Sequence, residues 1–83
     1  MITDTQMRAA RALAGLDQKA LAERAGLSLA TIQRMESSNG QVRGVVESLA
    51  KVVAALEAAG VEIIGEYGRS EGQGRGVRLK SAS

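Results

Sequence analysis

The feature that most restricts the fold of this chain is the spacing of small and apolar residues along residues 18–36. Two short helices that meet at a tight turn need a small residue where their backbones approach and a glycine that reverses the chain. Ala22 and Gly26 meet these two requirements. Five apolar residues are spaced to fix the angle between the helices: Leu21, Ala25, Leu27, Ile32 and Met35. The segment therefore predicts two short helices that cross closely around one turn.

This packing leaves the opposite face of the second short helix directed towards solvent. The outward residues are Leu29, Ala30, Gln33 and Arg34, with Thr31 at the edge of the face. They bring together apolar surface, an amide and a guanidinium.

Helix-capping residues predict where the first three helices begin and end. Residues 3–6 read as a capping box, with the Thr3 hydroxyl at the N-cap and the Gln6 amide three residues later. Gly15 is expected to end this first helix. Asp17 is the N-cap candidate of a second helix through about residue 25, and Ser28 caps a third helix through about residue 37.

After a polar loop at residues 38–44, the helical period returns. The residues that form its apolar stripe are Val46, Leu49, Ala50, Val53 and Leu56. We expect this stripe to pack in the core of a fourth helix that runs to about residue 59. Gly60 then provides a C-terminal stop.

From residue 61 the apolar period changes from helical to two, which is typical of strands. Val61 and Ile63 alternate with Glu62, and Val77 and Leu79 alternate with charged residues. Residues 67–76 are rich in glycine, serine and charge and are expected to form a mobile loop. We expect residues 81–83 to be a disordered tail.

Composition excludes several classes of function. The chain has 83 residues, enough for one domain with a modest core, and it contains neither cysteine nor histidine. Disulfides and thiolate metal sites are therefore excluded, and no imidazole is present to activate a serine hydroxyl or bind a metal. We expect no enzymatic activity, no cofactor and no metal site. Because we find no signal peptide and no apolar run long enough to cross a membrane, we expect a cytoplasmic protein.

The charge distribution permits an anionic partner. Residues 1–44 carry six Lys and Arg side chains against four Asp and Glu, whereas the remainder is balanced. This weak positive bias is compatible with nucleic acid but does not establish it.

Residues 3–59 resemble the phage repressor and Cro-like helix-turn-helix family, often called the XRE family. The resemblance rests on the run of residues 18–28, with its Ala22 and Gly26, and on Ile32, Met35 and Glu36. It implies a mainly α fold, a lambda-repressor-like bundle of four to five helices, with a small C-terminal antiparallel β element. We divide the chain into a DNA-binding domain at residues 1–60 and a β extension at residues 61–80.

In this family the third helix enters the major groove of double-stranded DNA, with its N-terminal residues at base edges. The resemblance implies that Arg34 contacts guanine in a bidentate manner, and that Leu29 and Ala30 pack on thymine methyls or sugars. Gln18 would bond a phosphate and brace the third helix, and Ser28 would cap that helix near a phosphate.

The remaining assignments from the resemblance concern the backbone of the DNA. Asn39, Gln41 and Arg43 would contact it and position the protein. Thr31 remains open between groove contact and plain helix surface. The complete predicted DNA-binding set is Gln18, Ser28, Leu29, Ala30, Thr31, Gln33, Arg34, Asn39, Gln41 and Arg43.

Charged residues outside this set have structural or surface roles. Arg11 and Glu36 fall where the family often has an ion pair between the first and third helices. We expect Arg8, Lys19 and Arg24 to be surface residues.

Two arrangements are open for the β extension. The strands form a hairpin on their own helices, or they pair with the strands of a second copy. We favour the second, because a compact helical head already uses its apolar faces and because pairing satisfies strand edges. The dimerisation residues would be Val61, Ile63, Ile64, Val77 and Leu79.

The leading functional hypothesis is a transcriptional regulator, either a repressor or an activator, that binds a palindromic operator as a homodimer. If the protein is an activator, its protein partner would be RNA polymerase. The alternative is an antitoxin-type interaction protein that represses its own operon and binds a toxin through the C-terminal segment.

Overall fold

The fold is known from a computed structural model that describes residues 2–65 and 74–80. In these ranges there are four helices, α1 (Asp4–Ala14), α2 (Gln18–Ala25), α3 (Leu29–Glu36) and α4 (Val46–Ala58). Two strands follow, β1 (Val61–Ile64) and β2 (Gly76–Leu79). The mainly helical architecture with a small antiparallel β element is confirmed. Most of the loop predicted at residues 67–76, and the tail at residues 81–83, lie outside the described residues.

Local capping explains the ends of the first three helices. The Thr3 hydroxyl accepts the Gln6 backbone N–H, and the Gln6 side chain accepts the Thr3 N–H, so the predicted capping box is confirmed. Asp17 caps α2 by accepting the Ala20 N–H at 2.7 Å. Gly15 ends α1 in the left-handed conformation, with φ +70°.

Gly26 makes the turn between α2 and α3. Its φ is +69°, and a Cβ added there would meet no atom within 4 Å. Glycine is therefore needed for the backbone conformation and not for a close approach of side chains. Ala22, on the buried side of α2, is 3% exposed and lies within the core.

The apolar stripe predicted for α4 is wrong at two positions. Val46 and Ala50 are exposed, whereas Val52 and Ala55 are buried beside Leu49 and Leu56. The helix carries two overlapping apolar sets, and both contain Leu49 and Leu56. Packing against α2 and β1 selects the set that buries Val52, which the periodicity alone does not distinguish.

The two strands pair with each other in one antiparallel hairpin. Val61 lies opposite Leu79, and Ile64 lies opposite Gly76. The hairpin packs against α1 and α4, and Val61 is 0% exposed. The argument that the helices have no free apolar face for these strands was therefore wrong.

One hydrophobic core joins all of these elements. It includes residues from every helix, from the N-terminal segment, from the loop after α3 and from β1. Its largest fully buried side chains are Ile2, Met7, Leu21, Ile32, Met35, Val52, Leu56 and Val61. The helices and the hairpin are thus packed as one body.

A buried amide ties the hairpin to the first helix. Gln6 is 5% exposed, and its Nε2 donates to the carbonyl oxygens of Ile64 at 2.8 Å and Gly76 at 3.1 Å. These two residues form the last strand pair before the connecting loop. The amide that closes the capping box of α1 therefore also fixes the end of the hairpin.

Gly26→Ala should lower the free energy of unfolding by about 1 kcal/mol, because alanine pays a penalty in the left-handed region while meeting no steric clash. The matched control is Gly44→Ala, where φ is outside that region and space is equally open. Urea unfolding of both variants measures the difference. Equal stability of the two variants would show that the turn does not depend on the conformation of Gly26.

Candidate nucleic-acid interface

The outer face of α3 is the centre of the candidate interface. Leu29, Ala30, Gln33 and Arg34 are exposed, and Thr31 is half-buried at the edge. The opposite side of the helix is anchored in the core by two buried residues, Ile32 and Met35. The outward orientation predicted from the sequence is confirmed, while contact of these side chains with DNA stays a prediction.

The start of α3 is held by Ser28. Its Oγ accepts the Thr31 N–H at 3.1 Å and lies 2.8 Å from the Thr31 hydroxyl. The predicted N-cap is therefore confirmed. Both hydroxyls stay exposed or half-buried at the end of the helix that carries Leu29 and Ala30.

A cleft of about 730 Å³ lies between α3 and the start of α4. It brings together Thr31 and Arg34 of α3 with Asn39 and Arg43 of the following loop. Four members of the predicted DNA-binding set thus share one concave surface although they come from two segments. The other six members of the set do not line this cleft: Gln18, Ser28, Leu29, Ala30, Gln33 and Gln41. The backbone of Gln41 bridges to Thr3.

A buried carboxylate fixes the orientation of α3. Glu36, its last residue, is 5% exposed and receives a bidentate pair from Arg11 of α1. The distances are 2.7 Å from Nε to Oε2 and 2.9 Å from Nη2 to Oε1. The predicted ion pair between the first and third helices is confirmed. The hydrogen bond to Glu36 raises the pKa of Arg11 above its usual range, so the guanidinium remains charged.

Gln18 joins the second helix to the same carboxylate. Its Nε2 donates to Glu36 Oε1 at 3.2 Å, which places the side chain as a brace of α3. An amide nitrogen carries two N–H donors, so one remains for another acceptor. The bracing role is confirmed, and the phosphate contact stays a prediction.

The start of α4 belongs to the same surface but was not predicted. Val45 and Val46 are 67% and 71% exposed, and Val45 lines the cleft with Gly44 and Ser48. Val45 is the N-cap residue and makes no side-chain capping bond. Val46 was assigned to the core stripe of this helix, and Val45 was given no role. The only sign in the sequence of an uncapped start is the lack of a Ser, Thr, Asp or Asn at the N-cap.

Two of the five predicted dimerisation residues are buried within a single copy of the protein. Val61 is 0% exposed and Ile64 is 9% exposed, so neither presents a surface to a second copy. Their burial follows from the packing of β1 on α1 and α4. Ile63 and Val77 are partly buried against the same core, and Leu79 is 57% exposed.

Two short capped helices joined at a left-handed glycine, with the second helix turned outward, form the geometry of a helix-turn-helix. Residues 5–62 match the sequence profile of the family described as the helix-turn-helix domain. The chain belongs to the helix-turn-helix domain family. No curated protein matches the chain.

Membership of this family makes the chain a DNA-binding protein, with α2 and α3 as the two helices of the motif. The match ends inside β1, so the rest of the hairpin lies beyond the matched residues. The longest helix that the structure describes has 13 residues, whereas a helix that crosses a bilayer needs about 20.

Glu36→Ala should lower the free energy of unfolding by about 3 kcal/mol, because it leaves the Arg11 guanidinium without its partner in a largely buried site. The matched control is Glu47→Ala, since Glu47 makes only an exposed pair with Lys51 at 3.6 Å and should contribute little. Chemical denaturation of both variants provides the measurement. A similar small loss in both would contradict the role given to the Glu36 carboxylate.

Proposed function

We propose that this helix-turn-helix protein is a transcriptional regulator of the phage repressor and Cro-like type, which reads an operator through α3 in the major groove. The observation that carries the proposal is the shared cleft. Arg34 on α3 and Arg43 in the loop lie on one surface, so one docking geometry serves base contact and backbone contact together.

The outward residues of α3 suit direct readout of bases. Arg34 provides the planar donor pair that fits the two acceptors of guanine, and the amide of Gln33 fits adenine. Leu29 and Ala30 offer apolar surface to the methyl group of thymine. All four side chains are exposed on a helix whose opposite side is packed in the core, so the backbone that carries them is held in place without DNA.

The rest of the cleft suits the phosphate backbone. Arg43 supplies a cation, while Asn39 and Ser48 supply neutral hydrogen-bonding groups. The first N–H groups of α4 point out of its N-terminus without a side-chain cap, and helix N-termini favour anions. These contacts would position the protein without reading sequence.

A homodimer on a palindromic operator completes the proposal. The Lys80 N–H donates to the Gly60 carbonyl at 2.8 Å, and hydrogen-bonded and non-hydrogen-bonded residue pairs alternate along an antiparallel hairpin. Val77 and Leu79 therefore belong to non-hydrogen-bonded pairs, and their backbone N–H and C=O groups point away from β1. No strand in the described ranges pairs with that edge of β2. The same edge of a second copy can pair there, with Leu79 in the contact. Two heads would then occupy half-sites about 34–36 Å apart.

Arg34→Ala should weaken binding to the preferred site by about 1–3 kcal/mol and relax the base preference at one position of each half-site, because a bidentate contact is lost. Selection of bound sequences from random DNA, followed by titration at several salt concentrations, measures both effects. Arg24→Ala is the matched control, since Arg24 is exposed on α2 and does not line the cleft.

Arg43→Ala should behave differently from Arg34→Ala. It should weaken binding to all sequences alike and reduce the slope of log K against log salt by about one, as expected of a phosphate contact.

If wild type, Arg34→Ala and Arg24→Ala all bind every duplex equally, the proposed reading of DNA by α3 is wrong.

Leu79→Glu should shift the protein from dimer to monomer, because it places a charge in the proposed contact. Leu13→Glu is the matched control on α1, where the leucine is 41% exposed. Sedimentation equilibrium measures the mass of each variant. A monomeric wild type would exclude the homodimer, and binding of a second small protein by that monomer would support the antitoxin alternative.

A further inference from the structure

Arg8 is a surface residue, as expected, and its guanidinium also joins two parts of the chain. Nη1 donates to the backbone carbonyl of Glu36 at 2.6 Å, and Nη2 donates to Asp4 Oδ2 at 3.2 Å. The side chain is 44% exposed. Arg8 therefore reaches the last residue of α3 from the second turn of α1.

Asp4 reaches the loop that follows α3. Its Oδ1 accepts the Gly40 N–H at 3.2 Å, and its own N–H donates to the Gly40 carbonyl at 2.9 Å. The carboxylate thus bonds Arg8 through one oxygen and Gly40 through the other. Together, Asp4 and Arg8 hold both ends of the five-residue segment 36–40.

We propose that Asp4 and Arg8 are positioning residues for DNA recognition, which set the distance between the base-reading face of α3 and the phosphate-contacting loop. The inference rests on the proposed function. Arg34 lies just before the held segment, and Asn39 lies within it. If the segment shifted, the cleft that these residues share would lose its shape.

The chemistry of the two contacts suits this role. The last carbonyls of a helix have no partner within the helix, and Arg8 supplies one to Glu36. The planar guanidinium can serve a carbonyl and a carboxylate at once, which a lysine ammonium does less well. The segment is also tied onward, because Ser38 Oγ accepts the Arg43 N–H at 3.0 Å.

The same geometry argues against a direct phosphate contact by Arg8. Two of the five N–H donors of its guanidinium already bond protein oxygens. The Asp4 carboxylate beside it offsets its charge. Such a neutralised pair attracts a phosphate weakly, and its contribution is the placement of other groups.

The test compares Arg8→Gln, Asp4→Asn and the double variant with wild type. The matched control is Lys51→Gln, which breaks the exposed i, i+4 pair with Glu47 at 3.6 Å on α4. For each protein, Kd is measured for the operator selected by wild type and for a random duplex of the same length, and unfolding is measured separately.

Arg8→Gln and Asp4→Asn should each weaken operator binding about tenfold, comparable to one misplaced base contact, with binding to the random duplex changed by less than about twofold. The double variant should be no worse than either single variant, because the two residues act as one unit. Lys51→Gln should leave the ratio of the two dissociation constants unchanged.

NMR supplies a signature of the contact itself. Burial would raise the pKa of Asp4, but hydrogen bonds from Arg8 and from the backbone of Gly40 and Thr5 outweigh it and lower that pKa. In Arg8→Gln the pKa of Asp4 should rise towards its ordinary value. The Gly40 amide should exchange faster in Asp4→Asn than in wild type.

Three outcomes would overturn the inference. Equal weakening on operator and random duplex, with the salt slope reduced by about one, would make Arg8 a phosphate contact. An unchanged ratio with only a lower free energy of unfolding would make the pair merely structural. A wild type without sequence preference would remove the proposed function itself, whereas the first two outcomes leave it standing.

Discussion

The structure depends on one buried negative charge, the carboxylate of Glu36. A buried charge is tolerated only where ionic and hydrogen-bonding partners compensate for the loss of water. Arg11 of α1 and Gln18 of α2 supply these partners, so the end of α3 is held by both preceding helices. Displacing any of the three helices would leave charged or polar groups unpaired. The orientation of α3 is therefore fixed by hydrogen-bond geometry as well as by apolar packing.

This constraint has its consequence on the opposite side of the helix. Ile32 and Met35 pack the inner side of α3 into the core. The hydrogen bonds of Glu36 with Arg11 and Gln18 fix the rotation and the end of the helix. The outward side chains therefore need no internal partner and remain available to a ligand. The loop after α3 is placed by separate bonds to the N-terminal segment, including that of the Val42 N–H to the Ile2 carbonyl at 2.9 Å. The cleft lies where Thr31 and Arg34 of α3 meet this tethered loop and the start of α4.

Features set by neighbouring residues could be predicted from the sequence. The caps at Thr3, Asp17 and Ser28 each depend on a residue three positions later, and the conformation of Gly26 depends on its missing Cβ. Features set by distant partners could not. The rotation of α4 depended on what packs against it, and the two carbonyls bonded by Gln6 lie 58 and 70 residues away. The placement of the hairpin, and hence the burial of Val61, also follows from such long-range packing.

The central claim is that the outer face of α3 lies in the major groove, and intermolecular NOEs test it most directly. In a complex with the selected operator, we expect NOEs between the methyl groups of Leu29 and Ala30 and thymine methyl or other major-groove protons. These two residues are exposed and lie at the first turn of α3. An operator complex in which the only NOEs to DNA come from the hairpin, with the methyl resonances of Leu29 and Ala30 unchanged, would contradict the account.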